Sequence, residues 1–173
     1  MALIVEDGSI VAGANSFISL ADAEIMADDM GITIHSSSNH AETELRQAYY
    51  QLVRSYQNRL QGTIVSPAQT GIFPRYDVHA NGYLVASDSI PVDLQRAQLE
   101  YANAIHKGAD FNKTAGDQEL KKFDVQGVYS EEYKDGSTAR TTPRVPAVTQ
   151  WLQPYMISGG LQREEFFYNE ANL

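Results

Sequence analysis

With 173 residues, a hydrophobic share of 43% and a net charge of −9, the chain is long enough for one buried core and too balanced to be fibrous or disordered. It has no cysteine, which excludes disulfides, thiolate metal sites and thiol nucleophiles. No stretch approaches the ~20 apolar residues that cross a bilayer, and "MALIVEDGSIVAGANS" lacks the basic start and apolar run of a signal peptide. A soluble, intracellular protein with no membrane partner is expected.

In chain order, "LIVEDGSIV" sets two short apolar runs around Asp7-Gly8, a hairpin signal. Ser19 can cap a short helix running to Met30 and closed by Gly31. After the polar connector "ITIHSSSN", Asn39 and Glu42 suggest a capping box. From there to Gln61 one apolar stripe (Leu45, Ala48, Tyr49, Leu52, Val53, Tyr56, Leu60) predicts a long helix ended by Gly62. Residues 63–89 lack periodicity and contain Pro67, Gly71, Pro74 and the Asn81-Gly82 turn signal, so they read as a long structured loop.

A second long helix opens at Ser89 and Pro91, carries Leu94, Ala97, Gln98, Tyr101, Ala102 and Ile105 on one side, and stops at Gly108. Its small residues would let a neighbouring helix approach closely. "KKFDVQGVYSEEYKDG" then reads as two strands, and "STARTTPR" as a linker. Pro146 begins a last helix through Val148, Trp151, Leu152 and Tyr155, with Pro154 at a kink or in the last turn. The expected fold is mainly α with some β: a small helical bundle around two long helices, with one or two β-hairpins and an extended C-terminal arm. It divides into a helical domain at 1–158, carrying a hairpin insertion near 119–135, and an extension at 159–173.

Charge is segregated along this plan. Glu6, Asp7, Asp22, Glu24, Asp28, Asp29, Glu42 and Glu44 all precede the first base, Arg46. Phosphate backbones repel such a chain unless its bases cluster, so the plain reading is solubility.

Catalytic patterns are missing from the sequence. The histidines His35, His40, His79 and His106 are scattered, and none stands at the i, i+4 spacing of a helical metal site. Asp77 and His79 sit two apart in a loop, where solvation explains them, and Ser36, Ser37 and Ser38 serve turn chemistry. Carboxylate pairs such as Asp28-Asp29 and Glu131-Glu132 fall at exposed-looking positions. Phosphate loops, nucleophile elbows and zinc-protease motifs do not occur. No catalytic residue, metal or cofactor is therefore expected, and the chain reads as a non-enzyme. Its ten tyrosines could stack unpaired bases, although Tyr49, Tyr56 and Tyr101 lie on helical apolar stripes, where packing accounts for them.

Three ordered stretches carry a family resemblance. They are "MALIVEDGSIVAGANSFISLADAEIMADDMG", "IFPRYDVHANGYLVASDSIPVDLQRAQLEYA" with Phe73-Pro74-Arg75, Gly82-Tyr83 and Ile90-Pro91, and "VYSEEYKDGSTARTTPRVPAVTQWLQPYM". Together they resemble a family of small tailed-bacteriophage proteins labelled DnaT-like single-stranded-DNA-binding, whose members look like head–tail connector (adaptor) proteins. The resemblance implies a structural virion protein: a homo-oligomeric ring, a dodecamer, between the portal protein and a tail or neck protein, with duplex DNA passing through it. Its place would be the head–tail junction, and the host cytoplasm during assembly. Tyr83, Ala97, Tyr101, Tyr129, Tyr133 and Trp151 are the candidate subunit-interface residues. The rival reading is a single-stranded-DNA-binding protein of the replication machinery.

The chain continues for 13 residues beyond Gly160. Gly159 and Gly160 would form a hinge, and Leu161, Phe166, Phe167 and Tyr168 aromatic and apolar anchors on an adjacent subunit.

Overall fold

Ser19 and Gly31 bracket the first helix, α1 (Leu20–Met30), as the sequence predicts. The Ser19 hydroxyl accepts the Asp22 N–H at 3.1 Å, and Gly31 closes the helix in the left-handed region at φ 65°. The computed structural model describes residues 2–111 and 145–157. Among them the further elements are α2 (Ser38–Tyr56), β1 (Thr63–Ile64), β2 (Arg75–Tyr76), β3 (His79–Ala80), β4 (Tyr83–Leu84), α3 (Val92–His106) and α4 (Pro146–Leu152). A 3-10 turn, Gln153–Tyr155, continues α4 and contains Pro154. The fold is helix-dominated α+β: four helices with two small antiparallel two-strand sheets, β1-β2 and β3-β4.

α2 and α3 pack together at the centre, α4 lies on α3, and α1 touches both central helices. The predicted stripes supply the core: Leu45, Ala48, Tyr49, Leu52 and Tyr56 from α2, and Leu94, Ala97, Tyr101 and Ala102 from α3, joined by Phe17, Phe73, Val148 and Leu152. Gln98 ties the layers. Fully buried, it accepts the Phe17 N–H at 2.8 Å and donates to the Ser16 hydroxyl and the Leu45 carbonyl, each at 2.9 Å. No helix among the described residues is long and apolar enough to cross a membrane.

Several expectations are corrected. The opening runs do not form a hairpin. Glu6, 1% exposed, turns inward and its carboxylate accepts the N–H groups of Gly8, Ile10 and Val11, so residues 6–11 wrap around a side chain. Val5 instead bridges Ser16 in parallel. α2 begins at Ser38 with Ser37 as N-cap, and no Asn39–Glu42 capping box forms. The serine run starts the helix early, and the Ser37 carbonyl accepts the N–H groups of His40 and Ala41.

α2 also stops at Tyr56 rather than Gln61, because other groups claim the backbone beyond it. Gln61 donates its N–H to the Tyr155 carbonyl, and Leu60 bridges Met156. The predicted loop 63–89 holds both sheets. Its Asn81-Gly82 signal becomes the β3-β4 turn, with both residues at positive φ. The predicted strands within 119–135 and the arm 159–173 lie outside the described residues.

Candidate nucleic-acid interface

Four residues of helix advance about 400°, so side chains spaced by four stand about 40° apart on one face. Arg46, Tyr50 and Arg54 have this spacing on α2. Tyr50 is 54% exposed, Arg54 is exposed, and Arg46 is half-buried. Gln47, exposed one turn before Tyr50, extends the same polar strip.

The strip rests on a rigid base. Tyr49, fully buried, meets the Tyr50 ring edge-on at 5.6 Å and the Phe17 ring at 4.7 Å. Its hydroxyl lies 3.1 Å from the Thr70 hydroxyl, which donates to the Ala14 carbonyl at 2.7 Å. Burial pushes the Tyr49 phenol up to about 12, so it stays neutral at physiological pH. Arg46 reaches back to Glu42 at 3.4 Å and to the Thr43 hydroxyl at 3.0 Å.

A sequence signal marks this face, and the expectations above missed it. Residues 45–76 contain four arginines and no acid, the converse of the base-free stretch before them. Three of the four, Arg46, Arg54 and Arg59, reach the surface, and Arg59 lies over the Tyr56 ring at 5.9 Å.

A second exposed aromatic group sits on the sheets. Tyr76, Tyr83 and Leu84 are 47%, 79% and 64% exposed. The arginine next to it in sequence is turned inward. Arg75, beside Tyr76, is 5% exposed and donates to the carbonyls of Leu60, Gln61, Gly62 and Ile72, while Asp77 and Asp88 stand exposed nearby in sequence. Of the two surfaces, the α2 strip combines a stacking ring with cations.

The other candidate residues are placed as follows. Ala97 and Tyr101 lie inside the chain's own core, where no other subunit can reach them. Tyr83 is at the surface. Trp151 is half-buried, with the Arg96 guanidinium 4.9 Å from its ring centre. Tyr129, Tyr133, Gly159, Gly160, Leu161, Phe166, Phe167 and Tyr168 lie outside the described residues.

The histidines are less scattered than their spacing implies. The His35 ring lies near those of His40 on α2 and His106 on α3, at separations of 4.6 Å and 5.8 Å. Glu44 meets His106 Nδ1 at 3.0 Å and accepts the His35 N–H at 3.0 Å. Among the described residues no group of three or more such side chains is arranged to hold a metal ion.

Residues 1–168 match a family model described as "Putative DnaT-like ssDNA binding protein". No curated protein and no solved structure matches the chain. The family description corrects the reading of the chain as a head–tail connector or adaptor of the virion, because it names single-stranded-DNA binding, the rival reading. The ring, portal and tail partners that came with the connector have no support.

Proposed function

The chain belongs to this DnaT-like family, and we propose that it binds single-stranded DNA along the outer face of α2. The observation that carries this reading is Tyr50, more than half exposed, with Arg46 and Arg54 one turn to either side. An exposed ring offers a π-face to any base, and stacking of this kind is worth about 1–3 kcal/mol per base. The two guanidinium groups can neutralise adjoining phosphates. Gln47 adds a neutral hydrogen-bonding group.

The acidic balance of the chain supports a directional surface. Phosphate is repelled by α1, with four acids and no base, and tolerated on the part of α2 beyond Glu44, since residues 45–76 carry no acid. On this reading the chain is a binding protein and not an enzyme.

Fluorescence anisotropy with a labelled oligothymidine tests the proposal. Two phosphate contacts to a single strand give a log–log salt slope of about −1.4, and Arg54→Ala should bring it to about −0.7. Tyr50→Ala should weaken binding by about five- to a hundredfold at fixed salt, with Tyr83→Ala unchanged. Unaltered affinity in Tyr50→Ala, or loss on Tyr83→Ala instead, would move the site off α2.

A further inference from the structure

A second surface, separate from the α2 strip, lies where α1, α3 and α4 meet. They enclose an open groove of about 700 Å³. Its apolar lining is Ile25, Met26 and Met30 from α1 and Trp151 from α4, set among polar side chains. Ile25 is 66% exposed although it lies on a helix that packs on the core. Methionine and tryptophan together make an adaptable lining of the kind that receives an amphipathic helix.

The rim is acidic. Asp22 and Asp29 stand on α1 and Glu100 on α3. Arg96, the one cation lining the groove among the described residues, is engaged by Asp93 at 2.9 Å and by the Trp151 ring.

α1 also carries an electrostatic conflict. Asp28 and Asp29 occupy its last turn, and that turn contains no base. Negative charge at a helix C-terminus opposes the macrodipole. A cation docked beside this turn would relieve the conflict and pair with the rim.

We propose that this groove docks a cationic amphipathic helix of a partner protein, its apolar side chains on Ile25, Met30 and Trp151 and its lysines or arginines against Asp29 and Glu100. Charge selects this occupant over DNA, which the rim repels, and over an acidic helix. The proposal does not depend on single-stranded-DNA binding, since no residue is shared between the two surfaces.

Trp151 is the chain's single tryptophan, so its emission reports occupancy directly. The test titrates the full chain with an unlabelled, tryptophan-free amphipathic peptide of about 15 residues built from leucine and lysine, long enough to form a helix on binding. A leucine–glutamate peptide is the control. The leucine–lysine peptide should shift Trp151 emission to the blue with saturation, and the control should not.

Ile25→Ser, and Asp29→Asn combined with Glu100→Gln, should each weaken binding at least about tenfold, the loss expected from about 1.4 kcal/mol. Glu24→Gln with Asp88→Asn, the same charge change outside the groove, should leave it intact. Equal binding by both peptides, or an equal loss in the outside variant, would overturn the proposal. So would a concentration-dependent dimer abolished by Ile25→Ser, which would assign the groove to a second copy of the chain. Tyr50→Ala should lose DNA and keep the peptide, so failure of one surface is distinguishable from failure of the other.

Discussion

Arg75 shows how a residue's neighbours in sequence and in space can give opposite answers. Beside an exposed tyrosine it resembles a phosphate contact, yet its guanidinium donates to four backbone carbonyls. Desolvation holds its pKa below the usual arginine value. Its work is to fix the segment between α2 and β1. Hydrogen bonds from a charged group contribute more than neutral ones, and the carbonyls left behind would be poorly satisfied. Arg75→Ala should therefore cost about 3 kcal/mol of stability, read as a lower urea midpoint, with the DNA affinity of the folded fraction unchanged. Glu6 is a parallel case: its charge is plain in the sequence, but its capture of three N–H groups is not.

At the scale of elements, periodicity locates the helices well. The apolar stripes of α2 and α3 and the Ser19–Gly31 frame of α1 are legible because spacing of three and four, a capping hydroxyl and a left-handed glycine are local signals. The early end of α2 is not local. It is decided by Arg75, Tyr155 and Met156, which arrive from later in the chain. Gln98 has the same character: on the stripe it reads as a polar interruption, and in the fold it joins the N-terminal segment, α2 and α3. Gln98→Leu keeps the volume but orphans the Phe17 N–H and the Leu45 carbonyl. It should cost about 2–4 kcal/mol by chemical denaturation, and loosen the packing of residues 16–18 on the two long helices as read by hydrogen exchange.

For the whole molecule, the phenols give a pH limit. Burial raises Tyr49 and Tyr101, and burial aided by the hydrogen bond to Asp93 raises Tyr155, each to about 12 from an ordinary 10.0. Between those values the unfolded chain has released these protons while the folded chain retains them. Stability is then fully present below about pH 10 and falls as pH rises toward 12. An alkaline titration should show unfolding by circular dichroism together with late tyrosinate absorbance from these three rings. Absorbance complete before any loss of structure would contradict it.

The sequence by itself determined the elements and the charge plan: helices from apolar period and caps, a turn at Asn81-Gly82, and acids and arginines in separate stretches. These are properties of short spans, readable wherever the chain goes. Only the tertiary structure decided which tyrosines are buried, that Arg75 faces carbonyls while Arg46 and Arg54 flank an exposed ring, and that α1, α3 and α4 leave a groove between them. Exposure and pairing depend on contacts between residues up to about a hundred positions apart, as between Tyr56 and Thr149, and no local signal encodes them.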